Sequence, residues 1–204
     1  MASKRRSIIR EYVEAALWAL VITLFLRAFV IQAFRIPSES MLDTLLVGDQ
    51  LFVNRFEYGP KIPFTHVRLP GLHPPRRGDV IVFQFPQDPG KDFIKRCIAT
   101  GGDSVELREK QVYVNGRRLA EPYAIHSDQA VRPAGLDPRD NFGPMTVPPG
   151  ELFMMGDNRD NSNDSRFWGG VALDYVKGRA LLIYWSWDAA RFRLRWDRLL
   201  RVIR

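Results

Sequence analysis

The chain of 204 residues has one cysteine, Cys97, and three histidines, His66, His73 and His126. A lone cysteine excludes an internal disulfide framework and a cysteine-cluster zinc site. All three histidines fall in proline-rich stretches, which argues against a histidine-based triad or metal centre. Any hydrolytic chemistry here needs another base. Apolar runs beyond residue 34 are no longer than a strand, so no second membrane span is expected. Acidic residues are scarce at both ends. Residues 1–35 hold six Lys/Arg against Glu11 and Glu14, and residues 189–204 hold six Arg against Asp197, while the stretch between them is nearly neutral. A nucleic-acid binder spreads its basic groups over a folded face. Charge loaded onto the ends suits an anionic lipid surface better.

What is present begins with Lys4, Arg5, Arg6 and Arg10, followed by an apolar stretch from Ala15 to Phe34 broken only by Arg27. A helix over those 20 residues would cross a hydrocarbon layer of about 30 Å at about 1.5 Å per residue. The basic flank places residues 1–10 in the cytoplasm, with 11–34 as the anchor and 35–204 outside. A cleaved secretory signal is the competing reading, but its only candidate cleavage site, Ile31-Gln32-Ala33, is poor.

After residue 48 the apolar segments are short and rich in Val, Ile and Phe: QLFVNRF, DVIVFQF, DFIKRCIA, KQVYV, ELFMM and RALLIYW. Such runs, bounded by Gly, Pro and Asp, predict strands, and Asn115-Gly116 predicts a tight hairpin turn. The expectation is therefore a mainly β fold: one N-terminal transmembrane helix followed by an all-β extracytoplasmic domain. Nine of the 14 prolines lie in two loops, 59–78 and 120–144. The alternation in RFRLRW predicts an amphipathic edge strand with Phe192, Leu194 and Trp196 on one face.

Three polar segments can carry chemistry. Pro37-Ser38-Glu39-Ser40-Met41 follows the anchor, Phe93-Ile94-Lys95-Arg96-Cys97 lies within a strand, and a dense block runs from Gly156 to Arg166. Singly, each has a plainer meaning as a cap, a solvated strand lysine or an Asn/Asp-rich turn. Together PSESM with TLLVGD, RRGDVIVF, FIKRCIATGGD and GDNRDNSNDSRFWG resemble, in order, the successive boxes of type I signal peptidase. The resemblance runs from about Ala15 to Ala180. It implies a membrane-anchored Ser-Lys endopeptidase at the bacterial cytoplasmic membrane that removes signal peptides from exported pre-proteins.

The resemblance further implies Ser40 as nucleophile and Lys95 as general base. Ser38 would join the Ser40 backbone N–H in binding the oxyanion. Ser162 would bond the lysine amine, with Asp157, Asp164 and Arg166 as support. Ile36, Met41, Leu45, Val82, Phe93 and Ile94 would shape apolar pockets for small substrate residues. The partners implied are signal-peptide-bearing pre-proteins and the lipid bilayer, with no nucleic acid, no metal and no cofactor. The chain departs from the family at Asp43 and Ala172, where a proline is usual. Such a base works only if burial lowers its pKa, so Lys95 is expected to be buried and largely neutral when the enzyme acts. Two alternatives remain within the same sequence: a peptidase dedicated to one exported substrate, and a non-catalytic membrane-tethered β module. A self-cleaving repressor, which shares this catalytic core, would need a DNA-binding unit where the apolar helix stands.

Overall fold

A computed structural model describes residues 8–62, 65 and 67–204; His66 and residues 1–7 lie outside them. Helix α1 (Ile8–Phe25) runs into a single π-type turn, and the chain then becomes strand β1 (Ile31–Arg35). The expected helix to Phe34 therefore stops nine residues short. Residues 31–35 alternate in burial, and Ile31 to Arg35 pair with Asn54 to Gln50 of β2 (Asp49–Asn54). Phe34 packs on the core from this strand. Sheet hydrogen bonds and that packing outweigh the helix propensity of a five-residue apolar tail. Among the described residues no helix is long and apolar enough to cross a membrane. The apolar side chains of α1, Leu17, Trp18, Val21, Leu24 and Phe25 among them, are exposed.

The remaining elements are β3 (Val80–Phe85), β4 (Asp88–Thr100), β5 (Ser104–Arg108), β6 (Gln111–Val114), β7 (Arg117–Arg118), β8 (Phe142–Thr146) and β9 (Glu151–Met155). They are followed by a one-turn helix α2 (Ser165–Trp168), β10 (Val171–Ala172), β11 (Val176–Asp188), β12 (Arg193–Leu194) and β13 (Arg201–Val202). One antiparallel sheet has the order β1-β2-β11-β3-β4-β9-β10, with β12 and β13 added on β11. A smaller sheet has the order β7-β6-β5-β8. Each of the six predicted apolar runs forms a strand. The turn between β6 and β7 has positive φ at both Asn115 and Gly116, the geometry that this dipeptide tolerates.

The centre of the large sheet is buried on both faces. Val80, Val82 and Ile94 join Leu51, Val53 and Ile183 in one cluster, while Ile81, Phe83 and Cys97 join Leu152 and Met154 in another. The small sheet covers a third cluster built on Val105, Leu107, Val112 and Phe153. This doubly covered centre is where β4 carries its lysine.

The C-terminal expectation is corrected. Of residues 191–196 only Arg193–Leu194 pairs with β11, Phe192 takes a left-handed φ, and Trp196–Arg198 forms a short 3₁₀ turn. Asp188 accepts hydrogen bonds from the N–H groups of Ala190 and Arg191, tightening the turn before the strand can start. Arg198 is then drawn inward onto Asp49, at 2.6 Å. The alternation of 191–196 is thus broken by a turn and a buried ion pair.

Candidate active site

The Ser40 segment leaves β1 with Ile36, whose N–H bonds the Asp49 carbonyl. Met41 and Leu45 are fully buried. At about 1.5–3 kcal/mol each, their burial pins the segment from beneath. A helical-type bond from Leu45 N–H to the Met41 carbonyl closes the turn. Arg198 donates to the Thr44 carbonyl as well as to Asp49, so the C-terminal turn clamps the same loop. The usual proline is absent at position 43, and Asp43 is exposed. Thr44, Arg198 and the buried Met41 and Leu45 supply the restraint that a fixed φ would have given.

Lys95 lies on β4, opposite Ile81 of β3. It is 4% exposed, and its Nζ sits 2.5 Å from Ser40 Oγ. The Phe93 ring lies 5.4 Å from the same nitrogen. Burial pushes the ammonium down to about 8; Asp164 and Asp157 pull the other way, and Arg166 adds to the lowering. At pH 7 the lysine of the resting site is therefore still mostly protonated. Exclusion of water by a bound substrate would move it further toward the neutral form.

Ser38 Oγ stands 3.5 Å from Ser40 Oγ. Both serines, Lys95, Phe93 and Ile94 line one cavity of about 390 Å³, together with Asn161 and Asn163. Ile36, Met41, Leu45 and Val82 do not line it. They are packed in one buried cluster with Ile94, which does line the cavity. Only Phe93 and Ile94 of the six expected pocket residues face the cavity.

Asp157, Asp164 and Arg166 are buried behind the dyad. Asp157 takes a bidentate grip from Arg96, at 2.8 and 2.7 Å, and a bond from Thr44 Oγ1 at 2.6 Å. Asp164 takes a second bidentate grip from Arg166, at 2.8 and 2.9 Å, and accepts the Gly156 N–H. The burial of the Asp164 carboxyl would raise its pKa, but the Arg166 guanidinium and these hydrogen bonds hold it below the usual range. Arg166 also donates to the carbonyls of Arg139 and Arg159. Ser162 lies near Asp164 and helps hold its carboxyl low. Yet its buried hydroxyl completes no well-formed hydrogen bond among the described residues, to Lys95 or any other group.

Several residues of the site were not singled out by sequence. Arg96 follows Lys95 on β4 and projects onto Asp157 with its guanidinium 3.9 Å from the Tyr123 ring. Alternation along a strand is the signal that could have found it. Asn158 bonds both the Ser40 and Glu39 carbonyls, from its N–H and its side chain, at 3.1 Å each. Arg159 pairs with Glu121 across 38 positions of sequence, which no local pattern reveals. Gly156 carries the closest approach: a Cβ there would meet Ser162 Oγ and the Ser40 carbonyl. Among the described residues no three His, Cys, Asp or Glu side chains gather in a set able to hold a metal ion.

The family model for "Signal peptidase, peptidase S26" matches residues 9–185. The chain belongs to the signal peptidase family S26. It is a hydrolase of the serine endopeptidase class. Signal peptidase I of Pseudomonas aeruginosa is 36% identical over 87% of this chain and 72% of its own length. A probable signal peptidase I-1 of a Synechocystis species is 39% identical, covering 85% of this chain and 81% of that one. Signal peptidase I of Bacillus licheniformis is 32% identical over 93% of this chain and 96% of its own. A crystal structure of signal peptidase I from Enterococcus faecalis, 30% identical, covers 53% of this S26 chain and 98% of its own, with a TM-score of 0.43.

Proposed function

We propose that this S26 peptidase removes signal peptides from exported pre-proteins at the outer face of the bacterial cytoplasmic membrane, with Ser40 as nucleophile and Lys95 as general base. The observation that carries this reading is the buried 2.5 Å contact between Lys95 Nζ and Ser40 Oγ. While charged, the amine donates to Oγ. Once neutral, it accepts the hydroxyl proton through the same contact as Ser40 attacks the scissile carbonyl. Collapse of the tetrahedral intermediate returns the proton to the leaving amine. Water, deprotonated by the same lysine, then hydrolyses the acyl-enzyme. Ser162, whose hydroxyl is buried beside Asp164, is assigned the role of steadying the amine during these transfers.

Ser38 and the Ser40 N–H are assigned to the oxyanion. The proximity of the two hydroxyls supports this, since the developing charge forms beside Oγ. Ser38→Ala is expected to lower kcat by about 10²–10³-fold with little change in KM, the scale of losing one such donor. Steady-state cleavage by the variant checks it, and an unchanged kcat removes Ser38 from the role.

The base also sets a pH dependence. Lys95 must be deprotonated to act, so kcat/KM should rise through about pH 8 and level off above it. Below that point the rate should fall about tenfold per pH unit. A profile flat between pH 6 and 9 would exclude a base with this pKa.

Attachment to the bilayer is assigned to α1, whose Leu17, Trp18, Val21 and Leu24 form an exposed apolar surface. The basic residues before it favour a cytoplasmic N-terminus. The function is tested by incubating the full chain in detergent with a pre-protein carrying a small-x-small site. Cleavage after the second small residue is the expected result, and its absence would overturn the reading.

A further inference from the structure

The cavity beside Ser40 is electrostatically lopsided. Two carboxylates, Glu39 and Asp92, line it, and Lys95 is the only cation among its lining residues. Lys95 is committed to Ser40 and is partly neutralised by burial. Asp92 is compensated by Lys177, whose Nζ lies 2.7 and 2.8 Å from its two carboxylate oxygens. Glu39 has no such relief. Its side chain is exposed and makes no ion pair or hydrogen bond among the described residues.

Its backbone, by contrast, is held firmly. The Glu39 carbonyl accepts the Leu42 N–H at 3.2 Å and the Asn158 side-chain amide at 3.1 Å. The residue stands between the two serines that flank the reacting carbonyl. A fixed loop thus carries one uncompensated negative charge at a residue that lines the cavity beside the two serines. A Glu carboxylate reaches little more than the roughly 3.3–3.6 Å spanned by one extended residue, and its charge acts some way further.

We propose that Glu39 is a specificity-determining residue of this peptidase, favouring basic and rejecting acidic side chains next to the cut. The proposal rests on the peptidase function above. The positions open to it are the second before the bond and the first two after it, because the first and third before it are confined to small residues. Charges about 6–10 Å apart at a partly solvated site, screened over a Debye length of about 8 Å in physiological salt, shift a rate by about three- to tenfold. That is a preference, well short of an absolute requirement.

The test uses the full chain in a non-ionic detergent with peptides that share one small-x-small site and carry Lys, Gln or Glu at each of the three positions. For the wild type, kcat/KM for the Lys peptide should exceed that for the Glu peptide by about three- to tenfold at one or more positions, less in 0.5 M salt. Glu39→Gln should bring the ratio close to one, and Glu39→Lys should reverse it. A ratio that Glu39→Gln leaves unaltered, or a variant that loses rate equally on all three peptides, would overturn the proposal, since a merely structural role moves no ratio. Failure of the underlying function is seen separately: no cleavage by the wild type, or cleavage that survives Ser40→Ala, overturns the peptidase reading and the preference with it.

Discussion

Ser40→Ala and Lys95→Ala should each lower kcat by about 10⁴–10⁶-fold, the scale seen when one member of a nucleophile–base unit is removed. The two losses should not add, because Ser40 without a base and Lys95 without a nucleophile are equally idle. The double variant should therefore be no slower than either single one. Lys95→Arg sharpens the test. Arginine keeps a cation in reach of Ser40 Oγ, but it cannot give up its proton at any accessible pH. It should be as inactive as Lys95→Ala if Lys95 is the base, whereas a lysine that merely orients Ser40 would tolerate it. Turnover of a small-x-small pre-protein measures all four. Cleavage at the wild-type rate in any of them moves the chemistry elsewhere.

Gly156→Ala should lower kcat by about 10³-fold or more while the protein remains folded. A Cβ at this position would lie 2.3 Å from Ser162 Oγ, 2.4 Å from the Ser40 carbonyl oxygen and 2.6 Å from Ser162 Cβ. All three atoms belong to well-held residues. The Ser40 carbonyl is already bonded to the Asn158 N–H, and Ser162 is buried. The added methyl group must push the Ser40 loop away from β4. A displacement of about 1 Å costs about 10²-fold through lost alignment of Ser40 with Lys95. The oxyanion donors ride on the same loop, so their misplacement multiplies the loss. Overpacking of this kind costs about 1–3 kcal/mol of stability, which urea unfolding would register as a lower midpoint with an unchanged slope. Wild-type turnover by a folded Gly156→Ala variant would show that the two loops can part without disturbing the dyad.

The two predictions differ in how they could be reached. Ser40 and Lys95 stand in polar segments whose order along the chain resembles the boxes of signal peptidase, and that resemblance is what points to them as nucleophile and base. Gly156 reads as an ordinary loop glycine before Asp157. Its importance is a matter of distance to residues 116 positions upstream and six downstream. The same contrast separates Lys95 from Arg96. One is adjacent to the other in sequence, yet the strand sends the second to Asp157, where it supports the site from behind. Among the expected pocket residues, apolarity alone did not tell which side chains line the cavity beside Ser40. Five of the six belong to one buried cluster, and Ile94 both belongs to it and lines the cavity.

Local patterns determined much of this protein. Short Val/Ile/Phe runs specify strands, Asn115-Gly116 specifies a hairpin, the scarcity of cysteine and histidine narrows the chemistry, and the ordered polar boxes carry the family resemblance. These rest on interactions between near neighbours in the chain, which composition and spacing encode directly. Tertiary structure decided where the apolar N-terminal segment stops being a helix, because β2 supplies hydrogen-bond partners to residues 31–35 that no helix could match. It also decided that the basic C-terminal alternation ends in a turn, since Asp49 takes Arg198 inward. The depressed pKa of Lys95 belongs here too: a lysine becomes a base only when distant strands remove its water, and burial by residues far away in sequence is a property of the assembled fold.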